Sequence, residues 1–213
     1  MFPEDQKHIH LRLKLCVSGA AETGHCGEGA LEKAKQLGAE IVRHGAVLVT
    51  GATTGFPFWA AMGAKEAKDV KGFSIGISPA GSEREHSEVY KLPMDYLDLI
   101  VYTGFGFSGR NLFLTRASDA AFFGCGRIGT INEFTIAFED KKPIGVLEGD
   151  WETDEVIKFM LEKAHRPNDN VIFDSDPKAL VERIIEIVKK EKQEYGRLYE
   201  SVVDGRGEDN IIL

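Results

Sequence analysis

Short apolar runs alternate with amphipathic helical patterns along most of the chain. Apolar runs predict strands at residues 11–17, 46–49, 73–77, 99–102, 120–125, 143–147 and 171–173. Between the first two runs, Ala30, Ala34, Leu37 and Ile41 recur at helical spacing. Strands alternating with helices are typical of βαβ units. We therefore predict an α/β protein with a Rossmann-like three-layer α/β/α fold and a mainly parallel sheet of about seven strands.

Helix boundaries are marked by proline and by capping residues. Pro57 fits the first turn of the second helix, and Asp176 followed by Pro177 is an N-cap with proline at the first helical position. We predict further helices at residues 111–117, from near Thr130, and at 154–165.

The stretch at residues 78–95 is rich in Pro, Gly, Ser and charge, so we expect a long exposed loop with at most a short strand near 89–92. No linker or repeat divides the chain. We predict an N-terminal extension at 1–10, a single domain at 11–192 and a polar C-terminal tail at 193–213, mobile around residues 204–210.

Composition narrows the class of partner. The 213 residues are 43% hydrophobic and 28% charged, which is ordinary for a globular protein, and carry a net charge of -8. This charge opposes a nucleic-acid backbone, so no polynucleotide partner is expected. We see neither a signal peptide nor an apolar stretch long enough for a bilayer, and therefore predict a cytoplasmic protein with no membrane partner.

Three cysteines, Cys16, Cys26 and Cys125, are widely and irregularly spaced. An odd number at such spacing suits neither a disulfide framework nor a four-ligand zinc site, so we expect reduced thiols. His25 and Cys26 are adjacent metal-ligand types, but a third ligand is not evident from the sequence. We predict no metal and no cofactor.

Glycine-rich segments follow three of the predicted strands: "SGAAETGHCG", "TGATTG" and "GCGRIGT". Ligands of open parallel sheets bind at the carboxyl ends of the strands, where glycine lets backbone approach an anion closely. A phosphate is the natural ligand. The candidate phosphate- and ligand-binding residues are Gly19, Ala20, Gly51, Thr53, Gly55, Gly126, Arg127, Gly129 and Thr130.

Two nucleotide-binding signatures are missing from these segments. No Gly-Lys-Ser/Thr follows them, and there is no clean Gly-x-Gly-x-x-Gly with a downstream acidic ribose ligand. ATP hydrolysis and NAD chemistry are therefore both disfavoured.

Thr130 and Glu133 have two interpretations. Thr-x-x-Glu is the pattern of a capping box, in which the two side chains satisfy amides at the start of a helix. Alternatively, a phosphate occupies that helix start and Glu133 faces the cleft, where a nearby cation must offset the repulsion between two negative groups. Arg110, predicted at the start of the preceding helix, is the candidate cation.

The segment "RNLFLTRASDAAFFGCGRIGTINE" at residues 110–133 resembles the LOG (Lonely Guy) family, also labelled "possible lysine decarboxylase". Arg110 matches the family arginine, Gly126 the first motif glycine, Gly129-Thr130 the Gly-Thr pair and Glu133 the acid. The resemblance implies a Rossmann-like fold, a homodimer or higher homo-oligomer, and hydrolysis of the N-glycosidic bond of nucleoside 5′-monophosphates. Arg110 and Glu133 would be catalytic, and the Gly-Thr helix start would hold the 5′-phosphate.

The chain departs from this family pattern at several positions. Cys125 replaces the family proline, Arg127 the second glycine and Asn111 the lysine after the arginine, which argues for an altered ligand. The segment "TGFGFSGRN" is closer to a side branch that includes molybdenum-cofactor carrier proteins. Two functions thus stay open: a phosphoribohydrolase, or a non-catalytic carrier of a phosphorylated cofactor such as molybdenum cofactor.

Two further expectations concern assembly and the older label. Phe56, Phe58, Trp59 and Phe113 are the apolar candidates for a subunit interface. No lysine lies in a recognisable pyridoxal-phosphate motif, so decarboxylation of lysine is not expected.

Overall fold

Seven parallel strands form one sheet in the computed structural model, which describes residues 12–68, 70 and 72–204. The strands are β1 (Lys14–Ser18), β2 (Val47–Thr50), β3 (Phe73–Ser78), β4 (Leu99–Tyr102), β5 (Ala120–Phe123), β6 (Ile144–Leu147) and β7 (Val171–Asp174). Their order is β4-β3-β2-β1-β5-β6-β7, and every neighbouring pair is parallel. The predicted Rossmann-like α/β fold and the strand number are confirmed.

Helices cover both faces of this sheet. They are α1 (Ala30–Arg43), α2 (Phe56–Glu66), α3 (Gly106–Ala117), α4 (Ile128–Glu139), α5 (Thr153–Lys163) and α6 (Pro177–Asp204). Alternate strand residues point to opposite faces. Leu15 and Val17 pack with α1, α2 and α6, while Cys16 between them packs with α3, α4 and α5. The apolar runs of the central strands β1, β2, β5 and β6 are therefore buried on both sides, whereas the edge strands β4 and β7 are partly exposed.

The chain reverses direction across the sheet between β1 and β5. From β1 it winds outward through β2, β3 and β4, then returns to place β5 on the other side of β1, with Val17 opposite Phe122 and Ser18 opposite Phe123. Loops leaving β1 and β5 diverge to opposite sides of the sheet. Such a switch point opens a crevice at the carboxyl edge, where ligands bind in this class of fold.

One helix start was predicted wrongly, and the predicted loop at 78–95 contains a short helical segment that the sequence did not indicate. Helix α3 begins at Gly106 rather than at 111, so Arg110 lies one turn into the helix instead of at its start. Residues 85–89 form a short π-helical segment, and no strand lies near 89–92. The segment is held by the buried His86, whose ring contacts Ser78 Oγ at 2.8 Å and the Pro93 carbonyl at 3.1 Å.

The last helix is capped as predicted but is longer. The Asp176 carboxylate accepts from the backbone N–H of Lys178 at 2.8 Å, and α6 continues past residue 192, where we placed the domain boundary. The extension at 1–10, residue 11 of the first predicted strand and the tail beyond 204 lie outside the described residues.

One interface candidate belongs to the core. Phe56 is completely buried, because its ring fills the space beside Gly19 and Gly124, where any side chain would overlap it. Phe58 and Trp59 are half-buried, and Phe113 is exposed. Of the four apolar residues on which the predicted oligomer was based, only Phe58, Trp59 and Phe113 are accessible for a subunit interface.

Candidate functional site

A cavity of about 750 Å³ opens at the carboxyl ends of β1, β2 and β5, in the crevice at the switch point. Helices α3 and α4 form one wall, and the loop after β1 forms the other. Its lining residues are Val17, Ser18, Gly19, Ala20, Ala21, Glu22, Gly51, Thr53, Pro57, Phe107, Arg110, Asn111, Leu114, Arg127, Ile128, Gly129, Thr130 and Glu133.

A buried ion pair lies in the wall of this cavity. Arg110 on α3 and Glu133 on α4 approach with Nη1 and Oε1 3.3 Å apart, and their side chains are 8% and 7% exposed. Helices α3 and α4 leave the same edge of the sheet and pack against each other, which brings together residues 23 positions apart in the sequence. Arg110 and Glu133 therefore face one cleft, as the sequence interpretation required.

Each oxygen of the Glu133 carboxylate has a protein partner. Ser18 Oγ, at the end of β1, donates to Oε2. With its amide nitrogen turned toward the available acceptors, Asn111 donates to Oε1 at 2.7 Å and to the Phe107 carbonyl at 2.9 Å. Burial raises the pKa of Glu133, while Arg110 and the Ser18 hydroxyl act to lower it, and burial prevails. Glu133 is therefore easier to protonate than an exposed glutamate.

Glu133 does not act as a capping residue. Helix α4 begins at Ile128 with Arg127 as N-cap and no side-chain cap, and the partners of Glu133 are Ser18, Asn111 and Arg110. Across the described residues, no hydrogen bond from protein occupies the first-turn amides of Ile128, Gly129 and Thr130. Unpaired amides at a helix start attract anions.

Nine of the eleven predicted site residues line the cavity: Arg110, Glu133, Gly19, Ala20, Gly51, Thr53, Arg127, Gly129 and Thr130. Gly55 and Gly126 do not. The N–H of Gly126 donates to Thr153 Oγ1 at 2.7 Å, and a side chain at 126 would overlap Thr130. Gly55 has a φ of +69° and is packed against the carbonyls of the loop after β1. Both glycines shape the turns behind the cavity wall.

Gly51 makes room for the arginine. A Cβ at residue 51 would overlap the Arg110 guanidinium, so glycine is required here by a neighbouring side chain. The glycine-rich turn after β2 thus provides space for the Arg110 guanidinium.

Sequence reasoning missed two polar partners of Glu133. Ser18 was noted only as the first residue of the glycine-rich segment after the first predicted strand, and Asn111 only as a departure from a family lysine. Alignment of Ser18 with Phe123 across β1 and β5 places its hydroxyl beside the loop into α4. This strand register could have identified Ser18 as a partner of Glu133, but it can be used only when the neighbouring strands are known.

A second ion pair spans the mouth of the cavity. Arg127 Nη1 lies 2.8 Å from Glu22 Oε2, and the side chains are 53% and 78% exposed. Exposed pairs of this kind contribute little free energy, so an incoming anion can replace Glu22 as the partner of Arg127 at small cost.

Cys26 and Cys125 form a disulfide, so the prediction of reduced thiols is wrong for this pair, while Cys16 is free and buried. The loops after β1 and β5 leave neighbouring strands at the same edge, which brings residues 99 positions apart to a Cα separation of 5.8 Å. Wide sequence spacing therefore hid a close contact. His25 lies beside them, with Nε2 3.6 Å from Cys125 Sγ and 3.4 Å from the Gly126 carbonyl.

No helix within the described residues combines the length and the apolar character needed to cross a bilayer.

Comparisons with known proteins agree with this architecture. The molybdenum cofactor binding protein of Rippkaea orientalis superposes with a TM-score of 0.68 at 29% identity, covering 84% of this chain and 99% of that one. The molybdenum cofactor carrier protein of Chlamydomonas reinhardtii has a TM-score of 0.66 at 25% identity, with coverage of 84% and 99%. An uncharacterized protein of Archaeoglobus fulgidus is 29% identical over 136 residues, which are 64% of this chain and 82% of that relative.

A family model places the chain more firmly than any single relative. The match runs over residues 12–181, which includes all seven strands and every residue that lines the cavity. The protein belongs to the SLOG cluster4 family.

Proposed function

We infer that the cavity binds the phosphate group of a small nucleotide-like molecule and holds that molecule without cleaving it. The observation that carries this inference is the first turn of α4, whose three unpaired amides open into the same cavity as a buried guanidinium. Amides at a helix start and an arginine fork together are the usual receptors for phosphate oxygens.

The guanidinium of Arg110 has capacity for another acceptor. Its Nε atom is buried and has no hydrogen-bond partner among the described residues, while Nη1 lies 3.3 Å from Glu133 Oε1. A buried donor without a partner is unfavourable, so an anion that reaches this group gains a charge-assisted hydrogen bond. Arg127 at the mouth supplies a second, exposed cation.

Holding rather than cleaving the ligand is favoured by the state of Glu133. A carboxylate that activates water needs a lone pair that water can reach. The Glu133 side chain is only 7% exposed, with Ser18 at Oε2 and both Asn111 and Arg110 at Oε1. Two similar proteins are named for binding or carrying molybdenum cofactor. A carrier role for a phosphorylated cofactor of that kind is therefore our first candidate.

Hydrolysis is the second candidate, and a specific observation favours it. Glu133 lies in the cavity wall beside Arg110, and burial raises its pKa toward the range useful for proton transfer. After exchange of a partner, the carboxylate could stabilise a ribosyl oxocarbenium centre and activate water, as carboxylates do in glycoside hydrolysis. The substrate would be a nucleoside 5′-monophosphate.

One set of measurements on the full chain separates these candidates. Calorimetric titration with AMP, adenosine and inorganic phosphate should show AMP binding at least about 10-fold tighter than adenosine, since the phosphate adds charge-assisted hydrogen bonds. Inorganic phosphate should compete with AMP. Binding of AMP that is indifferent to phosphate would contradict the phosphate site.

Chromatography of the same mixtures then reports cleavage. Under the carrier role no free base accumulates, and a pterin-type fluorophore is expected in protein purified from a host that makes molybdenum cofactor. Release of adenine that is lost in Glu133→Gln and kept in Glu139→Gln, an exposed acid on the same helix, would establish hydrolysis instead.

A further inference from the structure

A cluster of three metal-ligand side chains lies behind the cavity wall. The loop after β1 carries His25 and Cys26, and the loop after β5 carries Cys125. Their ligand atoms, one imidazole nitrogen and two sulfurs, all lie within 4.8 Å of one another. The cluster is graded from solvent inward, because His25 is exposed, Cys26 half-buried and Cys125 completely buried.

One distance in this cluster, between His25 and Cys125, matches an edge of a tetrahedral site. Zinc–nitrogen and zinc–sulfur bonds of the usual lengths place the two ligand atoms about 3.6 Å apart along one edge of a tetrahedron. His25 Nε2 and Cys125 Sγ are 3.6 Å apart. The Cα atoms of Cys26 and Cys125, 5.8 Å apart, are joined in the oxidised form, and two reduced thiols at this separation can turn their sulfurs apart around one ion.

We propose that the reduced chain binds one thiophilic divalent cation, such as Zn²⁺, through His25 Nε2 and the sulfurs of Cys26 and Cys125. A dithiol reductant supplies two electrons and two protons that convert the disulfide into two thiols, and becomes a cyclic disulfide itself. Cation binding then displaces the two thiol protons into solvent. The disulfide and the metal-bound state exclude each other, because both need the sulfur atoms of Cys26 and Cys125 for bonding.

The three side chains leave a fourth coordination position without a protein ligand among the described residues, and His25 borders a second cavity. This cavity, of about 750 Å³, is lined by three acids, Asp150, Glu152 and Glu155, and by one cation, Arg127. These acids make the approach favourable for a cation. Three protein ligands with an open fourth position are typical of sites that keep a water or an exchangeable ligand.

The site ties together the two loops that wall the phosphate cavity. The Cys125 carbonyl accepts from the Ala20 N–H at 2.7 Å, and Cys125 directly precedes the turn into α4. Either the disulfide or the metal ion holds this junction, so the cavity keeps its shape in both redox states. The metal site itself does not depend on what the cavity binds.

Zinc titration of the full chain tests the proposal. Protein reduced with dithiothreitol and freed of it under anaerobic conditions should take one Zn²⁺ per chain from a chromophoric chelator, and the oxidised protein should take none. Co²⁺ in place of Zn²⁺ should give thiolate-to-cobalt charge-transfer absorbance. Loss of one ligand should weaken affinity at least about 100-fold, because even outer contacts of a metal site contribute up to that factor.

His25→Ala is the decisive variant, since His25 is exposed and its removal leaves both thiols and the fold intact. His44→Ala, an exposed histidine at the end of α1, and Cys16→Ala are matched controls that should keep full affinity. Zn²⁺ should also protect Cys26 from alkylation in the reduced wild type, measured by mass spectrometry. Equal zinc binding by oxidised protein, or equal loss in the control variants, would overturn the proposal, as would no binding by reduced wild type.

Discussion

Two carboxylates near opposite ends of β5 have opposite electrostatics: Asp119, half-buried beside the amino end, and Glu133, buried on α4 at the carboxyl end. At the amino end, Asp119 accepts from the Lys14 N–H at 2.7 Å, and the ammonium groups of Lys14 and Lys192 lie 3.2 and 3.0 Å away. Burial acts to raise the pKa of Asp119, but these partners outweigh it and lower the pKa. At the carboxyl end, burial outweighs the partners of Glu133 and raises its pKa.

This difference distinguishes a structural carboxylate from one in a binding site. Asp119 is surrounded by fixed donors that stabilise its charge and join β5 to β1 and α6. Glu133 has a single cation, Arg110, whose Nε is still without a partner, and both face a cavity. Perturbed groups that are incompletely compensated concentrate at functional sites, whereas compensated ones stabilise the fold. Three substitutions test whether this division holds.

The largest effect is expected from removing the cation at the carboxyl end. Arg110→Ala should weaken binding of AMP or inorganic phosphate by about 100-fold, since charged hydrogen bonds in a buried site contribute about 1.5–3 kcal/mol each. Calorimetry measures this. The fold should persist, because Glu133 is already easier to protonate and can become neutral when its cation is lost.

Arg116→Ala is the matched control on the same helix. Arg116 is exposed and pairs with Asp140 on the outer surface, away from the cavity lining. Its removal should leave ligand binding unchanged. If Arg110→Ala and Arg116→Ala weakened ligand binding equally, α3 would contribute only general positive charge. Glu133 and Arg110 would then not form a specific binding site.

A smaller effect, on stability alone, is expected at the amino end. Asp119→Asn should lower the free energy of unfolding by about 1 kcal/mol at neutral pH, after allowing for solvent that still reaches the lysines. Because the pKa of Asp119 is lower in the folded than in the unfolded state, its charge stabilises the fold at pH values above the unfolded-state pKa. This stabilisation is lost as pH falls through the folded-state pKa. The difference between variant and wild type should therefore shrink toward acid pH.

Urea unfolding at several pH values measures this difference. Asp140→Asn, which removes an exposed carboxylate paired with Arg116, should change stability less. Ligand affinity should stay at the wild-type value in Asp119→Asn. A loss of phosphate binding in that variant would show that the amino end also serves the site.

The fold was predictable because its signal is local. Runs such as residues 99–102 are apolar and short, and β4 has those same bounds. Helix entry was also readable where a residue type decides it, as at Asp176 and Pro177. The start of α3 was missed because Gly106, with a φ of +63°, opens a helix in a segment that reads as loop.

Contacts between distant segments were harder to predict. Arg110 and Glu133 were paired correctly because they flank one strand, so chain length alone returns them to one edge. Cys26 and Cys125 belong to loops after different strands, and only the position of β1 beside β5 brings them together. Sheet order is a global property, which the spacing of cysteines along the chain does not encode.

The smallest effect should come from Glu133→Gln, with a pH slope opposite to that of Asp119→Asn. Because the pKa of Glu133 is higher in the folded than in the unfolded state, its protonation stabilises the fold, fully so at pH values below the unfolded-state pKa. This stabilisation is lost as pH rises through the folded-state pKa. Wild-type stability should therefore fall relative to Glu133→Gln as pH rises from the unfolded-state pKa of about 4 through the raised folded-state pKa. We expect less than about 1 kcal/mol, since the glutamine leaves Arg110 buried without its partner and this loss opposes the gain.

Parallel urea unfolding of wild type, Glu133→Gln and Glu139→Gln measures the slope, with the exposed Glu139 as control for general acid effects. A gap between wild type and Glu133→Gln that moves in favour of wild type as pH rises would mean that Arg110, Ser18 and Asn111 fully compensate the buried charge. Glu133 would then have the same role as Asp119, that of a carboxylate that stabilises the fold. Its position beside the cavity would not support a role in binding or catalysis. The predicted slope would instead show that Glu133 takes up a proton more readily in the folded protein than in the unfolded chain, which is a property that either a ligand or a substrate can use.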